Sequence, residues 1–272
     1  MNSDILSKII ADNLDSNSVK LAKQFFSNDT HVSANFFILD NLLPKEVCLD
    51  IYKNFPNKDI YNYRDTFRER KFDYAKLNTL DNPLVDNIAN AFQSDTVIKA
   101  VERITKINGL ESDPTLYAGG ISRMDIGHFL NPHIDNSHEL TKTKYRRINT
   151  LFYVTPGVKE SDGGNFELWD SKVKNPLKIP SMFNRLVVME TNKYSWHSVD
   201  HVQSNINRCC VSNYYFSEGS PEKYDYFHVT SFNGRPNEKF KRFYSVIDNF
   251  LRNSFKQTTG YSRGKSLIRD IK

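Results

Sequence analysis

Cysteine is scarce in this sequence: Cys48, Cys209 and Cys210 are the only three in 272 residues. Three cysteines cannot build a disulfide framework, and the vicinal pair has neither the partners nor the spacing of a zinc site, so a reducing compartment is expected. No apolar run approaches the roughly 20 residues that a membrane span needs. The N-terminal MNSDILSKIIADNLDSNS carries acids and polar residues where a signal peptide has an unbroken apolar stretch. Together these absences predict a cytoplasmic protein with no membrane span. A dominant charge is missing too. Lys and Arg number 37 against 32 Asp and Glu, a net +5 spread along the chain apart from a modest excess after Lys256. That balance describes a solvated surface and argues against a nucleic-acid partner. Glycine (11) and proline (10) are too few for a fibrous or low-complexity chain, whereas 39% hydrophobic residues, 13% of the total being aromatic, can bury a sizeable core.

What is present divides into three textures. Residues 1–33 carry Ile5, Leu6, Ile9 and Ile10, then Leu21, Phe25 and Phe26, at spacings that suit short amphipathic helices in an N-terminal extension. ANFFILDNLL then predicts a strand, followed by a helix in which Pro44 precedes Val47, Ile51 and Phe55. Leu84, Ile88 and Phe92 mark a second helical face, and Asp95 to Ile107 a third helix. From about Leu116 to Phe216 short runs rich in Ile, Val, Phe and Tyr alternate with Gly, Pro, Asn and Asp. RINTLFYVT, NFELWD, RLVVMET and RCCVSNYYFS are the clearest strands, so this block predicts a β-sandwich or barrel. Residues 218–272 form a C-terminal extension: YFHVTSF, a helix in which Phe240, Phe243, Tyr244, Ile247, Leu251 and Phe255 recur at three and four, and the basic tail KQTTGYSRGKSLIRDIK, read as solvated.

Within the strand-rich block, NPHIDNSHE places His133 and Asp135 two apart, so on an extended segment both side chains share one face. WHSVDHV offers a third ligand, His197, sixty-two residues after Asp135, with His201 four further on as a competitor. Two imidazoles and one carboxylate make the facial triad of Fe(II) oxygenases. Three ligands on one face of an octahedron leave three positions, enough for a chelating 2-oxo acid and O2. Eleven residues past His197, Arg208 opens a strand on which Cys210 and Ser212 follow on the same face. A guanidinium there can clamp the distal carboxylate of 2-oxoglutarate bidentately.

This order, H-x-D, a distal His and a basic residue about ten later, resembles the 2-oxoglutarate/Fe(II)-dependent dioxygenase superfamily, in particular its prolyl-4-hydroxylase-like branch. RRINTLFYVTPGVKESDGGNFELWD is similar to that branch's second strand, acidic Gly-Gly loop and fourth strand, and PSMFNRLVVMETNKYSWHSVDHV to the strand pair that delivers the distal His. FFILDNLLPKEVCLDIY is similar to the family's first strand and helix, so the likeness spans residues 34–217. It implies a mainly β fold with flanking helices around a double-stranded β-helix, a jelly-roll of cupin type. It implies Fe(II) held by His133, Asp135 and His197, with 2-oxoglutarate and O2 as co-substrates and succinate and CO2 as products. Within the cofactor site it implies Arg208, with Tyr153 and Ser212 chosen as helpers over Thr150, Tyr117 and Asn149. Trp196-His197 suits the family better than His201, and His138 and His128 stay outside the metal set.

Asp135 separates the chain from related halogenases, which resemble this motif but carry a small non-ligating residue there; hydroxylation of an unactivated C–H bond in a small-molecule, peptidyl or sugar substrate is expected. Arg208 stands where prolyl hydroxylases usually carry lysine, and ISRMDIGHFL lacks the tyrosine common before the motif. An AlkB-like oxidative demethylase is the enzymatic rival, but the likeness there calls for a second arginine where this chain has Tyr214. A cupin-type metal-binding module without oxygenase activity is the rival from another class. Of Arg146 and Arg147, one is read as a surface residue; Arg235 in SFNGRP is read as part of a helix start, with contact to an acidic substrate as its alternative.

Overall fold

The computed structural model describes residues 1–27, 31–117 and 119–259. Most of the basic tail, from 260 onward, therefore lies outside the described residues. Among the described residues six α-helices, α1 (Ser3–Ser16), α2 (Ser18–Phe25), α3 (Lys45–Lys53), α4 (Leu84–Phe92), α5 (Asp95–Thr105) and α6 (Lys239–Thr259), surround twelve strands. In chain order the strands are β1 (Phe36–Asp40), β2 (Asn62–Asp65), β3 (Glu69–Tyr74), β4 (Gly120–Met124), β5 (Phe129–Ile134), β6 (Tyr145–Tyr153), β7 (Phe166–Trp169), β8 (Pro176–Ile179), β9 (Arg185–Glu190), β10 (His197–Val199), β11 (Arg208–Ser217) and β12 (Ser231–Phe232).

The strands form one antiparallel sheet in the order β1-β9-β6-β11-β4-β3-β5-β10-β7-β8, with β2 added to β3 and β12 to β5. Side chains from distant parts of this order meet inside: Tyr153 of β6, Val187 and Met189 of β9 and Cys210 of β11 pack with Phe166 and Leu168 of β7. The sheet is thus curled on itself into a jelly-roll, as the family resemblance implies.

β11 shows why the strands read as nearly continuous apolar runs. Cys209, Val211 and Tyr215 face the helical layer, where the Tyr215 hydroxyl donates to the Phe92 carbonyl at 2.6 Å. The alternate residues Arg208, Cys210 and Tyr214 face the interior and are buried as well. A strand covered on both faces loses its polar alternation. The helices form where spacing and caps predict them: Asn2 accepts from Ile5 N at 3.0 Å and Ser94 from Val97 N at 3.4 Å. α1, α2, α4 and α5 pack into the same core as the outer face of β11.

Two features escape the pattern. The β2–β3 hairpin is drawn from NYRDTFRERKFDY, whose largely polar residues, exposed on β2 and half-buried on β3, give no apolar alternation. It is held instead by cross-strand pairs, Arg64 with Asp73 at 2.5 Å and Tyr63 with Phe72 at 4.9 Å between ring centroids. β3 then pairs with both β4 and β5 and joins the two halves of the curled sheet. The second feature is α6, which forms as expected but turns Phe240, Phe243, Tyr244 and Leu251 outward to solvent.

Candidate metal centre

His133 on β5 and His197 on β10 are directly paired across an antiparallel ladder, so the two imidazoles stand side by side with centroids 4.1 Å apart. Asp135 follows His133 by two residues and returns to the same face. The Nδ1–H of His133 donates to the Asn131 carbonyl at 3.0 Å and that of His197 to the Ser195 carbonyl at 2.9 Å. Both rings are thereby locked with Nε2 facing Asp135. The Nε2 atom of His133 lies 3.6 Å from Asp135 Oδ1, and that of His197 lies 3.6 Å from Oδ2. All three candidate ligand atoms fall within 4.8 Å of one another, on buried side chains.

These separations exceed a hydrogen bond, and Asp135 Oδ2 is buried with no hydrogen-bond partner among the described residues. A buried carboxylate whose two oxygens face two imidazole nitrogens beyond hydrogen-bond distance is what a divalent cation would satisfy. Protonation states agree. Burial, reinforced by the neighbouring His197, pushes His133 down to about 3, so the ring is neutral and able to ligate. Burial acts on Asp135 in the opposite sense, but His197 and Arg146 outweigh it and hold the carboxyl at about 2. Two imidazole nitrogens and one carboxylate suit Fe(II).

Arg208 opens β11 on the interior face, buried, its Nε donating to the Gly164 carbonyl at 2.6 Å. Its guanidinium lies 4.9 Å from the centre of the Tyr153 ring, and the buried Tyr153 hydroxyl has no hydrogen-bond partner among the described residues. The structure therefore brings Arg208 and Tyr153 together. Gly164 makes the approach possible: at φ +68, a Cβ there would meet Arg208 Cδ at 2.8 Å. Ser212 shares the interior-facing parity of Arg208, but it is half-buried farther along β11, with its hydroxyl toward the Gly120 carbonyl at 3.4 Å.

The competing residues separate cleanly. His201 is exposed and stacks on Phe129 at 4.6 Å, apart from the ligand cluster. His138 bonds the Ser137 hydroxyl at 2.8 Å, and His128 packs against Phe72 at 5.2 Å. Arg235 is bound through Nη2 to Glu167 at 2.7 Å and to the Val199 carbonyl at 3.2 Å, so it fastens the segment after β12 to the barrel.

Sequence reasoning missed Arg146. Its side chain is 1% exposed, lies over the Tyr214 ring at 3.8 Å, and places Nη1 3.4 Å from Asp135 Oδ2. None of its three guanidinium nitrogens has a hydrogen-bond partner among the described residues. A β-bulge explains the miss: Tyr215 pairs with Ile148 but Phe216 pairs with Arg146, so Arg147 is the extra residue and Arg146 swings to the interior. Period-two counting from Ile148, which faces the helices, assigns Arg146 to the wrong side. Arg147 instead reaches Ser217 Oγ at 3.0 Å and is part-buried, not a free surface cation. Phe232 was missed as well. β12 adds to β5 with Phe232 opposite His133, its ring stacked on the imidazole at 5.3 Å and 21°. Tyr226 and His228, from the segment before β12, join Asp135, Arg146 and Thr191 around a small cavity beside the ligand cluster.

No curated protein matches the chain. A Pseudomonas putida prolyl-4-hydroxylase structure is similar at 15% identity and TM-score 0.52, covering 77% of this chain and 100% of its own. A Trichoplax adhaerens prolyl hydroxylase, solved with a hypoxia inducible factor oxygen degradation domain peptide fragment, is similar at 15% identity and TM-score 0.50, covering 79% of this chain and 91% of its own. Both likenesses carry the fold, the double-stranded β-helix with flanking helices. The family model of the 2OG-Fe(II) oxygenase superfamily matches residues 119–216, the segment that holds His133, Asp135, Tyr153, His197, Arg208 and Ser212. That match lies over a buried His-Asp-His cluster in this fold, so the segment 119–216 is similar to the 2OG-Fe(II) oxygenase superfamily in sequence, in fold and in the donor set it brings together.

Proposed function

We propose that this chain is a hydroxylase in which His133, Asp135 and His197 hold Fe(II), Arg208 and Tyr153 hold the distal carboxylate of 2-oxoglutarate, and a C–H bond of the substrate is presented beside Asp135. The observation that carries this reading is the Asp135 carboxylate facing two locked Nε2 atoms, each 3.6 Å away and beyond hydrogen-bond distance. Bound iron with 2-oxoglutarate and O2 supplies the oxidising chemistry, with succinate and CO2 as co-products. The chain's own residues bind, orient and shield. The Nδ1 bonds fix the imidazoles, and burial keeps His133 unprotonated. Phe166, Leu168 and Met189 close the interior to water. Arg208 supplies a planar fork at its base, and the Tyr153 hydroxyl a neutral donor: burial, offset in part by Arg208, raises its pKa above the ordinary tyrosine range.

Ser212 belongs to the 2-oxoglutarate site as a helper at its rim, and the substrate is a small molecule or a peptidyl or sugar group. The buried Arg146, lacking a hydrogen-bond acceptor in the cavity beside Asp135, favours a substrate with an acceptor oxygen near its reacting carbon. A peptide carbonyl meets that need, and the similar Trichoplax protein binds a peptide. The test is succinate release with Fe(II), 2-oxoglutarate and a panel of candidate substrates. Iron-dependent succinate that disappears in Asp135→Ala is expected. Metal binding without any succinate across the panel, unaltered by Arg208→Ala in 2-oxoglutarate binding, would instead identify a metal-binding module.

A further inference from the structure

α6 packs with its polar side inward. Arg242 donates to the Val173 carbonyl at 2.8 Å and the Lys172 carbonyl at 2.9 Å, and Asp248 pairs with Arg68. Asn249 exchanges two bonds with the Phe232 backbone, at 2.9 and 2.7 Å. Arg252 reaches Asp248 at 3.5 Å, and Ser245 is buried. Residues 242, 245, 248, 249 and 252 recur at three and four, so they make one stripe. The opposite stripe carries Phe240, Phe243, Tyr244, Val246, Ile247, Phe250 and Leu251, with Phe240 91% exposed, Phe243 71% and Phe250 70%.

With 150–250 Å² on each aromatic side chain, this stripe offers water on the order of 800 Å² of largely apolar surface. A soluble monomer's largest patch is about 300–600 Å², whereas a standard interface covers about 800 Å² per partner. The area is therefore that of one half of a stable dimer. Charge narrows the partner. Lys239 is the one charged residue on the exposed side between 239 and 251, because Arg242 and Arg252 face the body and Lys241 pairs with Glu238. An amphipathic helix that docks on anionic lipid needs a free basic rim, and among the described side chains, 239–252, this face has Lys239 alone. The stripe is also self-complementary. Laid antiparallel on a copy about a twofold near 245–246, Phe240 meets Phe250 or Leu251, and Phe243 meets Ile247.

We infer that the outward face of α6 is a homodimer interface, two copies of this chain pairing their α6 helices antiparallel about a twofold axis. Light scattering on the full chain is expected to return twice the 31.6 kDa chain mass. The double variant Phe243→Asp/Phe250→Asp should return a single chain mass with an unchanged far-UV CD spectrum. Should that variant misfold, Val246→Cys decides: all three native cysteines are buried, so oxidation should link two chains through position 246 and not through a Val19→Cys control on α2. A wild-type protein that stays monomeric at any concentration overturns the proposal, as would a monomer that binds phosphatidylserine vesicles through this face. A dimer that survives both aspartates, or equal crosslinking at 19 and 246, overturns it too.

Discussion

Replacing Arg235 by methionine probes how the C-terminal segment is fastened to the barrel. Glu167 is 1% exposed on β7; its Oε2 accepts from Ser198 Oγ at 2.6 Å and from Arg235 Nη2 at 2.7 Å, while Trp169 Nε1 supports Ser198 at 2.8 Å. Removing the guanidinium leaves a sealed carboxylate with one hydroxyl donor. Breaking a buried pair from one side costs about 3–5 kcal/mol, and the 16% exposure of Arg235 places this case at the low end, about 3 kcal/mol. For a chain of this size that is a fall in Tm of about 6–12 °C. Glu167→Gln keeps a group that can bond Ser198 and strands a guanidinium that water partly reaches, so its cost is about 1–2 kcal/mol. Glu167→Leu/Arg235→Met removes both charges and should lie within about 1 kcal/mol of the parent. Urea unfolding of the four proteins measures the cycle. The reasoning fails if Arg235→Met costs less than Glu167→Gln, or if the double variant is the least stable of the set.

Further outcomes follow from individual contacts. Arg208→Lys keeps the charge but loses the fork, so the 2-oxoglutarate KM should rise about tenfold, with Fe(II) affinity unaltered in an equilibrium titration. Gly164→Ala adds a Cβ at φ +68, 2.8 Å from Arg208 Cδ, and should cost about 1–2 kcal/mol in unfolding free energy while raising the same KM; an unchanged KM would detach the loop from Arg208. Burial pushes the thiols of Cys48, Cys209 and Cys210 up to about 12. The sign is toward the neutral thiol, so at pH 8 a thiol reagent should label none of the three before denaturation and all three after.

Much of the site is legible in the sequence because it depends on short-range geometry. His133 and Asp135 share a face as a consequence of strand periodicity, and Arg208 faces the interior by the same count that places Cys210 there. The helices α1 to α5 and the long strands β6, β9 and β11 follow from apolar spacing. The β2–β3 hairpin does not, because its stability lies in cross-strand pairs between residues chosen for polarity.

What the sequence by itself determined is the donor set, two imidazoles and a carboxylate with a basic residue beyond, and the strand-rich block that carries them. The family likeness preferred His197 to His201, and the tertiary structure supplies the physical reason, since His197 is the residue opposite His133 across the β5–β10 ladder. Only the tertiary structure brought in Arg146, which a single bulge turns inward against the local period, and Phe232, which reaches His133 from ninety-nine residues away. The outward aromatic face of α6 belongs to the same class. An amphipathic repeat specifies that a helix has two faces, but the partners at hand, here Arg68, Lys172, Val173 and Phe232, decide which one the body takes.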